Sequence, residues 1–257
     1  MVEVVKLPQT ARDPLAWSVM LLLAGLAWIP TLSQTLSMLA LPMYGTMDLP
    51  LLPFLLFWTL MMIGMMLPSL APTVSMHLKS IQAQTAHFWT RSVTIGSFLV
   101  GYLLIWFFFG IPVYLLCLLG DHFVHAAPLL GIALGMLIFV AAGLYQFAPL
   151  KRHTFTHCHV AVHCNHHETF VSASVSYGKA GLLQGLACLQ YCGPLMLVMV
   201  AVGLMNLVWM LLLTAVIFVE KVWFDGNRLS SPLGVVLIMY GVFAFVDPTL
   251  LAGLVIR

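Results

Sequence analysis

Residues 151–170 read KRHTFTHCHVAVHCNHHETF. Eight side chains in this run can ligate a metal: His153, His157, Cys158, His159, His163, Cys164, His166 and His167. Imidazole together with thiolate suits zinc, copper, nickel or iron, and disfavours magnesium and calcium, which take oxygen ligands. On a helix His153 and His157 would share a face, as would His159 with His163 and His163 with His167. Such i, i+4 pairs can chelate one ion. A solvated polar linker is the plainer reading, and a histidine cluster can also sense pH. Neither gives Cys158 and Cys164 anything to do.

Sulfur recurs inside the apolar stretches. Cys188 and Cys192 are spaced i, i+4 and fall on one helical face. Buried thiols commonly act as small hydrophobes; the functional alternative is a pair of soft ligands turned to the interior beside the His/Cys run. Gln184 and Gln190 lie on the same stretch, and polar groups in a bilayer tend to face inward. Met61, Met62, Met65 and Met66 form two overlapping M-x-x-x-M pairs. Thioethers prefer Cu(I), and the spacing is similar to that of Ctr-type copper transporters, although packing alone would also account for methionine there. Met76 and His77 lie just past this stretch, where an ion could enter or leave. Asp121, His122 and His125 suggest a weaker second site or, more simply, an exposed helix end.

The elements that must position these groups follow from composition. The chain has 257 residues, 62% hydrophobic and 7% charged, with a mean hydropathy of +1.05. A soluble domain carries roughly 25% charged residues. With so little polar surface the exterior must face lipid, where only helices and closed barrels satisfy their own backbone groups. The apolar runs are continuous and near twenty residues, the length a spanning helix needs, and do not alternate as barrel strands do. The expectation is an all-α polytopic transmembrane bundle, a single domain over residues 1–257, with about seven spans. They are placed at 15–36, 51–71, 93–119, 128–147, 182–204, 207–222 and 233–254, the second closing near Pro68 and Pro72. A long loop, 148–180, separates the fourth from the fifth, and Gly203–Asn206 reads as a tight hairpin.

With the N-terminus in the cytoplasm, Lys6, Arg12, Lys79, Arg91, Lys151, Arg152, Lys179, Lys221 and Arg228 all fall inside and only Arg257 outside, as the positive-inside rule asks. The His/Cys loop is then cytoplasmic and its thiols reduced. The net charge of +2 and the lack of a basic tract offer nothing to nucleic acid.

Several motifs resemble a bacterial family of predicted metal-binding integral membrane proteins, a membrane domain of unknown function. FWTLMMIGMMLPSLAPTV (57–74) is similar to its W-x-x-M-x-x-A-M-M-x-P-x-x-x-P helix, and AAGLYQFAPLK (141–151) to its A-G-x-Y-Q-x-x-P-L-K. GLLQGLACLQYCGPLM (181–196) is similar to its H-G-x-x-C-x-G-C-C-W helix, and GLMNLVWM with Glu220 and Lys221 to its G-x-M-N-L-x-W-M…E-K end. The resemblance implies a metal-linked role at the bacterial inner membrane. It also exposes departures: Thr154 stands at the first position of the family's C-x-x-x-C, Tyr191 replaces one of an adjacent Cys pair, and Gln184 replaces a His. The extra histidines of the run are candidates to replace those ligands.

The reading favours handling of a transition metal, copper before zinc or iron, by transport, export or delivery, with a metallochaperone or other membrane subunits as further partners. An accessory subunit of a membrane metalloenzyme is the first alternative. The second is an enzyme, because HTFTH and HCNHH are similar to the histidine boxes of membrane di-iron desaturases. Those boxes lie on separated segments, and here they are five residues apart, so catalysis is the lesser expectation.

Overall fold

The computed structural model describes residues 13–38, 49–84, 88–126, 128–148, 151, 170–222 and 227–247. Their regular structure is all helical: α1 (Pro14–Met38), α2 (Leu51–Gln84), α3 (Phe88–Ala126), α4 (Pro128–Phe147), α5 (Phe170–Val202), α6 (Leu207–Val222) and α7 (Asn227–Val246). Six are long and apolar enough to cross a membrane; the exception is α6, with 16 residues. At 1.5 Å per residue α6 is about 24 Å long, short of a hydrocarbon core of about 30 Å.

Several helices overrun the expected spans, α3 at both ends. The second expected span ends near Pro68 and Pro72, yet α2 continues through both prolines to Gln84. A proline removes one backbone donor from a helix, and a helix packed among others tolerates the loss. Nearby, Ser69 donates to the Met66 carbonyl at 2.8 Å and Ser75 to the Ala71 carbonyl at 2.8 Å. His77 is therefore not beyond the helix but within it, buried. Residues 170–180, expected in the loop, form the first turns of α5. The seventh helix begins at Asn227 rather than 233.

Small residues set the packing. On α5, Gly181 lies so close to α3 that a Cβ there would collide with the Phe98 carbonyl, and a Cβ on Gly101 would collide with the Gly178 carbonyl. Between α4 and α7 the approach is reciprocal: a Cβ on Gly143 would sit 2.8 Å from the Gly234 oxygen, and one on Gly234 2.8 Å from the Gly143 oxygen. Close backbone approach through small residues is how helices associate without a hydrophobic drive between them. α1 packs on α2, and α2 on α3 and α6. The α5–α6 connection is a tight turn, as expected, with Gly203 at φ 95°, a region that favours glycine. Asn206 caps α6 by accepting from the Trp209 N–H at 3.3 Å.

Candidate functional site

Three helix ends meet the middle of a fourth helix at a polar cluster. Lys151 follows the end of α4, Glu220 and Lys221 close α6, and Ser230 opens α7. All face the middle of α5, at Cys188 and Tyr191, with Tyr102 of α3 beside them. Residues 88–101 of α3 and 170–187 of α5 continue past those ends, and His77 of α2 packs against them, 4.8 Å from the Phe98 ring and 5.6 Å from the Tyr177 ring.

One half of the cluster is an ion pair. Lys151 is 2% exposed and Glu220 0%. The ammonium donates to both carboxylate oxygens at 3.1 Å and to Gln146 Oε1, and lies 4.4 Å from the Tyr191 ring centroid. The carboxylate also accepts from Tyr191 Oη at 3.1 Å and Ser230 Oγ at 3.2 Å. Burial pushes the Lys151 ammonium below the ordinary lysine range, and Glu220 opposes that shift. A buried charge persists only when so paired and hydrogen-bonded.

The other half is sulfur. Cys188 and Cys192 are both fully buried and lie one turn apart on the same face of α5. Cys188 Sγ is 3.1 Å from Tyr102 Oη and accepts from Lys221 Nζ at 2.9 Å. Farther along α5, Met196 and Met199 are fully buried as well. The spacing 188, 192, 196, 199 makes one sulfur stripe, about 16 Å long at 1.5 Å per residue. On α2, Met61, Met62, Met65 and Met66 are all buried. Met61 lines a small apolar pocket with Phe54, Phe57, Trp58, Leu204 and Met205.

Several expected ligands stand apart from this cluster. His153, His157, Cys158, His159, His163, Cys164, His166 and His167 lie outside the described residues, and their run begins two residues after buried Lys151. Asp121, His122 and His125 sit on the last turns of α3, and His122 is exposed; the side chains of Asp121 and His125 are outside the description. Gln184 is buried, but Gln190 is exposed rather than turned inward. Among the described residues no group of three or more His, Cys, Asp or Glu is arranged to hold a metal ion.

Sequence reasoning gave no site role to Tyr102, Tyr191, Glu220, Met196 or Met199, and counted Lys151 and Lys221 only as charges on the cytoplasmic side. A signal was present. Glu220 ends an otherwise uncharged apolar stretch, and an ionisable group at such depth is a functional candidate in its own right.

No curated protein and no solved structure matches the chain significantly. A family model described as a copper chaperone, PpoB2, matches residues 55–244, which takes in α2 through nearly all of α7 and every residue of the polar cluster. The buried thiols and the methionine stripe are soft donors of the kind that select Cu(I), and the chain belongs to the PpoB2 copper chaperone family.

Proposed function

We propose that this chain is a multi-span protein of the bacterial inner membrane, N-terminus in the cytoplasm, that captures copper at the His/Cys run and passes it to Cys188 and Cys192 for delivery. The observation that carries the reading is the pair of buried thiols on α5, set where the ends of α4, α6 and α7 meet. Soft donors in that pair suit Cu(I). The mixed imidazole and thiol ligands of residues 153–167 suit first capture, and the Met196–Met199 stripe gives an onward path. The α2 methionines line a second sulfur-rich face. Lipid surrounds the apolar helices, and a metallochaperone or a membrane subunit is the partner that gives or takes the ion.

The test is copper bound per purified full-length chain, loaded as Cu(I) and washed against a Cu(I) chelator. The expected result is chelator-resistant copper in the wild type. Cys188→Ser with Cys192→Ser should lose the resistant fraction while keeping the weaker copper of the His/Cys run. Equal retention by wild type and double variant would refute the assignment of the thiols.

A further inference from the structure

Lys221 stands directly at the Cys188 sulfur. Its Nζ is 2.9 Å from Cys188 Sγ, and a donor on that sulfur competes with a metal for the same lone pairs. Lys151 is already matched to Glu220, and the second cation of the cluster, Lys221, is set against sulfur. Tyr102 lies on the α3–α5 glycine seam, where a Cβ on Gly185 would come within 3.0 Å of the Tyr102 carbonyl oxygen, so its backbone packs directly on α5. Lys221 has freedom that Tyr102 lacks. It is half-buried, lies in the last turn of α6, and its Nζ is also 6.0 Å from the Tyr191 ring centroid. A lysine there can swing its ammonium outward along a flexible stem, toward helix C-terminal carbonyls that favour a cation.

We propose that Lys221 is a displaceable placeholder that makes Cys188 a seat for one monovalent soft cation. This rests on the copper reading above and assigns its selectivity. In the exchange a Cu(I)–S bond forms at the Cys188 thiolate, the N–H···S hydrogen bond breaks, and Lys221 moves out with all its protons. Copper stays Cu(I), and one positive charge replaces another. A divalent ion would leave a net positive charge on the site beside the displaced Lys221 ammonium, in a medium of low dielectric where such charges repel strongly. Lys221 therefore weakens Cu(I) binding enough for release and disfavours Zn(II).

The experiment uses the full chain with the eight ligands of the His/Cys run replaced by alanine, titrated with Cu(I) against a chromophoric Cu(I) chelator and challenged with Zn(II). Lys221→Leu should bind Cu(I) at least about tenfold more tightly, the change that about 1.4 kcal/mol gives, and Zn(II) should now compete. Unchanged or weaker Cu(I) binding in Lys221→Leu, with Cys188→Ser still abolishing it, would overturn the placeholder role alone. Equal Cu(I) binding with and without both thiols would overturn the copper reading and this inference together. Should Lys221→Leu not fold, acylation of Lys221 in the otherwise unaltered chain decides. Labelling should rise several-fold on adding Ag(I), and labelling that does not change overturns the proposal.

Discussion

At the scale of single residues, the site is governed by the cost of burying charge. Glu220 is fully buried, with Lys151, Tyr191 and Ser230 all donating to it. Removing one partner of a buried pair leaves the other uncompensated and costs about 3–5 kcal/mol, whereas replacing both with apolar groups of similar volume is often neutral. Glu220→Gln should therefore destabilise the protein by about 3 kcal/mol. Lys151→Met combined with Glu220→Leu should recover most of that loss. Chemical denaturation in detergent of both single variants and the double variant would check it; additive losses would show that the pair is not coupled. Cys188 and Cys192 were legible as a pair because their i, i+4 spacing is local. Tyr102 and Lys221 were not, because they reach the same sulfur from 86 and 33 residues away in sequence.

At the scale of elements, the site depends on how closely α3 and α5 approach. A Cβ at Gly181 meets backbone, which cannot move aside as the end of a flexible side chain can. Gly181→Val should cost about 1–3 kcal/mol through overpacking and should also loosen the Tyr102–Cys188 contact. Gly25→Ala is the control: nothing lies within 4 Å of the added Cβ, and helix propensity should raise stability by up to about 1 kcal/mol. Thermal midpoints of the two variants, moving in opposite directions, would check the pair. Helix existence could be read from apolar run length alone, and the tight turn at Gly203–Asn206 came from its residue types. Helix ends could not be read this way. Hydropathy reports apolarity rather than helicity, so the polar first turns of α5 read as loop. Pro68 and Pro72 read as stops although the bundle supports the helix through them.

At the scale of the molecule, long helices (α2, α3, α5) stand beside shorter ones (α4, α6, α7), and the buried thiols lie where the shorter ones end. The division of Lys and Arg that set the expected orientation counted Lys151 and Lys221 as ordinary inside charges. Both also belong to the polar cluster, where they meet a carboxylate and a thiol. Their position in sequence, next to span ends, concealed this, because a snorkelling loop charge and a buried one look alike until the helices are assembled. The account rests on copper reaching α5 sulfur inside that assembly. X-ray absorption at the copper edge, on full-length protein with the ligands of residues 153–167 replaced by alanine, tests it most directly. The predicted spectrum shows Cu(I) with sulfur as its nearest scatterer, a signal lost in Cys188→Ser with Cys192→Ser. Copper surrounded only by nitrogen or oxygen, or a sulfur signal that persists without those two thiols, would contradict it.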